Sequence, residues 1–243
     1  MRVGVVGAGS IGRRHIENLI GLGCTVAVCD VSAEARARVA GAYALASVGD
    51  ALPFSGLDAL VIATPYDQHL SWVEEAVRRR LPFFVEKPIG TAAQLPRWRE
   101  LARMELPVHQ VGYMLRFHRA VALLKQQVPN PVAGRVALWW DGSKYADPWL
   151  ESSHEIDLAW YLCGTAPVQF DIRTDSPEYR RHWVLDDAWG QRYAAGFSSP
   201  EELGMAMYEA EMAHFLACVQ GQRETRCTLQ DGLRALESCV VAV

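Results

Sequence analysis

Residues 3–12 read Val-Gly-Val-Val-Gly-Ala-Gly-Ser-Ile-Gly, a short apolar run followed at once by glycines at 7, 9 and 12. Few patterns restrict a chain so narrowly. The run has the length and composition of a strand buried on both faces, and the stretch that follows has the spacing of an amphipathic helix. Between strand and helix the three glycines have separate uses. Gly7 permits a tight turn, Gly9 lets backbone approach a pyrophosphate, and Gly12 lets the helix pack closely. The helix N-terminus, opened by Ser10 and Ile11, offers N–H groups to an anion. Asp30, 18 residues beyond Gly12, ends a second apolar run. A carboxylate there accepts hydrogen bonds from an adenosine ribose and repels a 2′-phosphate. The pattern predicts a dinucleotide site that prefers NAD to NADP, with Arg36 as the cation that would serve a 2′-phosphate instead. A glycine turn that holds no ligand is the alternative.

The alternation continues through the first half. Strands are expected over 3–6, 25–29, 59–63, 82–85 and 108–112, and helices over 11–22, 33–40, 68–79 and 92–104. This predicts an α/β fold, with an N-terminal Rossmann domain built on a doubly wound parallel sheet over 1–117 and a reduced α+β domain over 118–243, hinged near 112–118. The second domain is read as a helix over 120–127, strands over 135–140, 168–174 and 179–184, a helix around His154, and terminal helices over 207–220 and 229–243. With 243 residues, half of them apolar, the chain is long enough for both cores. A net charge of −4 and no run of like charge exclude a nucleic-acid surface. The expected partners are a small molecule and further copies of the chain, as a dimer or tetramer, because so small a sheet with several tryptophans nearby leaves an apolar face. Six scattered cysteines form no metal or disulfide pattern, and the histidines have no metal spacing, so no metal is expected. No apolar run is long enough to span a bilayer, and a cytoplasmic location is expected.

Two residues stand out for chemistry. Lys87 follows the strand at 82–85, at the carboxyl end where open α/β sheets bind ligands. An ammonium there hydrogen-bonds a substrate hydroxyl and stabilises a developing alkoxide; a solvated lysine at a strand end is the other reading. The chain has three lysines against 21 arginines, so a compact cation was used where arginine is the rule. In Glu151-Ser-Ser-His154-Glu-Ile-Asp157, helical spacing aligns Glu151, His154 and Asp157 on one face. An imidazole among carboxylates can take a hydroxyl proton. The same string also reads as a capped helix start with an ordinary buried histidine.

The stretches ATPYDQH (63–69), VEKPIG (85–90), VGYMLRFH (111–118), ESSHEIDLAWYL (151–162), MYEAEMAHFLACVQG and LQDGLRAL together resemble the Gfo/Idh/MocA oxidoreductases, the superfamily of glucose-fructose oxidoreductase and inositol dehydrogenase. The resemblance implies that Lys87, His154, Glu151 and Asp157 are catalytic. It adds Thr64, Pro65, His69 and Glu86 to Gly7, Gly9, Ser10, Ile11, Gly12, Asp30 and Lys87 around the cofactor. It places Tyr113 and Arg116 at the substrate, with Arg116 read equally as a tie between the domains and His69 equally as a residue packed under its loop.

The implied activity is hydride transfer between nicotinamide C4 and a secondary alcohol or ketone of a sugar, cyclitol or nucleotide sugar. The chain departs from the family in its short second domain, in the brief SKYADPWLE where a glycine-rich stretch is common, and in Leu150 where many members carry Asp. These departures keep two alternatives open, a cofactor-binding regulatory or assembly protein without turnover, and a compact reductase of an imine or conjugated ring.

Overall fold

A computed structural model describes residues 1–141, 152–164, 168–199 and 201–241. The chain divides into two compact units. The first comprises Met1–Gly112 with Tyr208–Leu233, and the second Tyr113–Met207 with Arg234–Val243. This revises the division at 117/118. The sequence assigned everything after 117 to one domain, whereas Tyr208–Leu233 belongs with the first sheet.

In the first unit the strands are β1 (Arg2–Val6), β2 (Thr25–Cys29), β3 (Ser47–Gly49), β4 (Ala59–Ile62), β5 (Phe83–Glu86) and β6 (His109–Gly112). They form a parallel sheet in the order β3-β2-β1-β4-β5-β6. Helices α1 (Ser10–Gly21), α2 (Ala33–Ala42), α3 (His69–Arg78) and α4 (Leu95–Leu101) provide the crossovers. Near-continuous apolar runs are what a sheet covered on both faces requires. The core joins Val3, Val5, Val26, Val28 and Val61 to Ile16 and Leu19 of α1. Helix α7, Ala206–Val219, adds Met212, Phe215 and Leu216 to the same core, with Phe215 edge-on to Phe84 at 5.8 Å. That apolar stripe is what draws the C-terminal segment into the first unit. Strand β3 was not expected, because three residues of Ser-Val-Gly carry no apolar run and pair only with β2.

The second unit holds α5 (Arg119–Gln127), β7 (Ala133–Asp141), α6 (Ser153–Cys163), β8 (Val168–Arg173), β9 (Asp175–Asp186) and β10 (Arg192–Phe197). Its sheet runs β10-β9-β7-β8, with β7 and β8 parallel and the other neighbours antiparallel. Strand β9 begins four residues before the expected 179, through Asp-Ser-Pro-Glu, and β10 was missed altogether. Both escape a propensity reading: acidic residues and proline disfavour strands, and Ala-Ala-Gly lacks strand character. The last helix, α8 (Leu229–Val241), crosses the boundary between the units at 233/234. The six cysteines are free thiols, and no described helix is long and apolar enough to cross a membrane.

The glycine turn fixes where α1 starts. Gly7 has φ +92°, a left-handed conformation that other residues adopt only under strain. A Cβ on Gly12 would collide with the Gly7 carbonyl, whereas a Cβ on Gly9 would meet nothing within 4 Å. Gly12→Ala should therefore cost on the order of 2–3 kcal/mol, a fall in Tm of roughly 4–12 °C. Gly9→Ala should leave Tm within about 2 °C of the parent chain. Scanning calorimetry decides it, and equal losses in the two variants would contradict this account of the turn.

Candidate functional site

In the first unit the carboxyl ends of β1, β2, β4 and β5 bring the glycine turn, Asp30, Thr64–Pro65 and Glu86–Lys87 to one edge of the sheet. The strand order reverses between β1 and β4, where doubly wound sheets bind ligands. Gly9 caps α1 without a side-chain hydrogen bond, and the first turn has no acidic residue. The helix-start N–H groups at Ser10, Ile11 and Gly12 and the positive end of the helix dipole thus suit a pyrophosphate. The open space beyond Gly9 suits one too. Asp30 Oδ2 accepts the Ala8 N–H at 2.7 Å and Oδ1 accepts the Ser32 N–H at 2.7 Å. A carboxylate has about four acceptor positions, so it keeps capacity for ribose hydroxyls. Arg36 Nη1 donates to the backbone carbonyls of Asp30 (2.7 Å) and Val31 (3.1 Å), which holds the guanidinium at the turn after β2.

The second cluster surrounds Lys87, which is partly buried after β5. Glu86 is 7 % exposed. Its Oε1 lies 2.6 Å from His15 Nε2 and its Oε2 accepts the Lys87 N–H at 3.1 Å. A carboxylate only accepts, so His15 Nε2 carries the proton of that bond. His69 is buried at the start of α3, with Nδ1 3.0 Å from the Pro88 carbonyl and Nε2 2.8 Å from the Thr64 carbonyl. It packs under its loop between the turns after β4 and β5, and as a neutral ring it donates its one N–H to one of the two carbonyls. Burial pushes its pKa below the ordinary imidazole value, although the two carbonyls and Glu86 pull the other way.

In the second unit His154 is buried on the first turn of α6, and Tyr113 stands edge-on to it at 5.6 Å. Glu151 lies outside the described residues. The other expected members are engaged elsewhere. Arg116 meets Asp157 in a buried fork, Nε to Oδ2 at 2.9 Å and Nη2 to Oδ1 at 2.6 Å. The guanidinium is also 4.8 Å from the Tyr161 ring. Arg116 was read as a substrate ligand or an interdomain tie, and Asp157 as catalytic. Both residues belong to the second unit, where they fasten the Met114–Phe117 turn to α6. A second buried pair, Arg181 Nε to Glu155 Oε1 at 2.8 Å, fastens α6 to β9. Sequence reasoning missed the His15–Glu86 and Arg181–Glu155 pairs. The signal for the first was present: His15 falls on the apolar stripe Gly12, Ile16, Leu19 of α1, where a polar side chain needs a partner.

Residues 1–113 match the GFO_IDH_MocA family, described as an oxidoreductase family with an NAD-binding Rossmann fold. Among curated relatives, the inositol 2-dehydrogenase of Leifsonia xyli is 33 % identical over 209 residues, 76 % of this chain and 61 % of that protein. The rhizopine catabolism protein MocA of Rhizobium meliloti is 28 % identical over 199 residues, 73 % of this chain and 62 % of that protein. The chain thus spans about three fifths of the length of these relatives. Among solved structures, myo-inositol dehydrogenase from Lactobacillus casei, crystallised with NAD(H) and myo-inositol, superposes with a TM-score of 0.84 at 19 % identity, over 99 % of this chain and 92 % of that one. A myo-inositol dehydrogenase from Corynebacterium glutamicum gives 0.81 at 17 % identity, over 99 % and 94 % of the two chains. These likenesses show the fold.

The buried His69 has a consequence for stability. With its folded pKa below the ordinary value near 6.5, the unfolded chain takes up a proton first as pH falls. The stability is complete above the unfolded value and is lost as pH drops from there toward the folded one. His109, also depressed by burial, acts in the same sense, while Glu75, held near 2 by Arg78 and Arg79, titrates outside this range. Tm should fall between pH 7.5 and 5.5, and the fall should be smaller in His69→Gln. Identical slopes for the parent and the variant would contradict the assignment.

Proposed function

The chain belongs, through residues 1–113, to the Gfo/Idh/MocA oxidoreductase family with its NAD-binding Rossmann fold, and from that premise we propose that it is a dehydrogenase that oxidises a secondary alcohol of a sugar or cyclitol. The observation that carries the reading is Lys87 at the carboxyl end of β5, on the sheet edge that also presents the glycine turn and Asp30. Bound NAD supplies a hydride acceptor at nicotinamide C4. The N–H groups of the glycine turn would hold the pyrophosphate and Asp30 the ribose. Lys87 donates a hydrogen bond to the substrate oxygen and stabilises the alkoxide that develops as hydride leaves carbon. His154 is assigned to take the hydroxyl proton, with Tyr113 fixing the plane of its ring. Arg116 and Asp157 have a supporting role. The cyclitol class is favoured over nucleotide sugars by the relatives named inositol 2-dehydrogenase.

The experiment is turnover of purified protein with NAD⁺ and a panel of cyclitols, sugars and nucleotide sugars, followed at 340 nm. Reduction with a cyclitol or sugar is expected, and NADP⁺ should serve less well because Asp30 opposes the 2′-phosphate. Lys87→Met and His154→Ala should each lower kcat by roughly a hundredfold with NADH affinity unchanged. The double variant should lose less than the product of the two, since groups that act on one proton transfer are not additive. Dinucleotide binding with no reduction by any substrate would favour the protein without turnover, and full activity in either single variant would remove that residue from the mechanism.

A further inference from the structure

The Glu86-Lys87-Pro88 turn is gripped by a buried histidine on each side, and neither grip is explained by the reaction itself. His15 sits one turn into α1, fully buried, and donates to the carboxylate of Glu86. Glu86 is 7 % exposed and its carboxylate lies close over Gly112, where a Cβ would come within 3.2 Å of Glu86 Cδ, and the His15 ring stands edge-on to Phe84 at 5.1 Å. Its other oxygen holds the backbone N–H of Lys87. His69, 1 % exposed, packs from the opposite side between the carbonyls of Pro88 and Thr64, its ring filling the space between the two turns and its single N–H donated to one of them. Lys87 is thus the residue between two fixed neighbours. Its backbone is tied to α1, the helix that starts at the glycine turn, and flanked by α3.

We propose that His15 and His69 are positioning residues, which hold the backbone of Lys87 in register with the glycine turn so that its ammonium stands at a constant place on the carboxyl edge of the sheet. This rests on the reading of Lys87 as the group that meets the substrate oxygen. Both rings are enclosed, so they act through Lys87 and touch neither substrate nor cofactor. A displacement of about 1 Å at a reacting group can cost on the order of a hundredfold in rate. A bond that sets the height of Lys87 should therefore register in kcat.

The test uses the full chain in five forms, the parent, His15→Leu, His15→Gln, His69→Leu and Lys87→Met, with kcat, KM, NADH affinity and amide hydrogen exchange read for each. His15→Leu and His69→Leu should lower kcat about 10- to 100-fold, leave NADH affinity within about twofold, and speed exchange in the peptide spanning 84–90 while that of β1 stays protected. His15→Gln, whose amide can still donate to Glu86, should recover kcat to within about fivefold of the parent. Parent-like kcat and exchange in both leucine variants would overturn the proposal. So would uniform loss of protection without rescue by glutamine, which would make the histidines ordinary core residues. Full turnover by Lys87→Met would overturn the reading of Lys87, while local exchange in the leucine variants would still decide whether the two histidines hold the turn.

Discussion

The contact on which the first unit depends is backbone against backbone, where Gly12 of α1 lies so close to the carbonyl of Gly7 that no side chain fits between them. It sets the start and direction of α1. From that fixed origin, one helical turn carries His15 to Glu86, and the next places Leu19 in the core beside Ile16. The same turn aligns the Ala8 N–H with Asp30, so the carboxylate at the end of β2 is oriented by the loop it would serve. A single steric condition thus orders a helix N-terminus, an acidic group and the support of a lysine.

Charge is used differently in the two settings found here. Surface pairs such as Arg38–Glu34 and Arg97–Glu100 are exposed, and pairs of this kind add about 0–1 kcal/mol each. Arg116–Asp157 and Arg181–Glu155 are enclosed, and loss of one partner from a buried pair costs about 3–5 kcal/mol because the other is left without compensation. In the second unit α6 is held to the Met114–Phe117 turn and to β9 by these charges. That places His154, one residue before Glu155 and three before Asp157, on a stiff piece of helix.

What the sequence made legible follows from how local each signal is. The glycine turn, Asp30 and five of the six strands of the first sheet are written in runs of a few residues, and the structure places them as read. Strand β3 and strand β10 exist because a neighbour supplies hydrogen bonds, and no local composition announces them. Helix α7 was found, but its membership in the first core depends on which sheet its Phe215 meets. The same limit applied at the site. Arg116 and Asp157 are 41 positions apart and have the chemistry of site residues, so only their mutual fork, visible in three dimensions, shows that they hold each other. His15 was set aside for lack of metal spacing, although its partner is a carboxylate 71 residues away.

On the proposed function, the carboxyl edge of the first sheet carries out hydride chemistry rather than mere dinucleotide binding. The most direct measurement is label transfer: the protein is incubated with NAD⁺ and a cyclitol deuterated at its ring carbons, and the recovered dinucleotide is weighed by mass spectrometry. Reduced dinucleotide that carries one deuterium from the ring carbon is expected from the parent chain and should be almost absent with Lys87→Met. Dinucleotide recovered wholly as unlabelled NAD⁺, from protein shown by calorimetry to bind it, would contradict the claim.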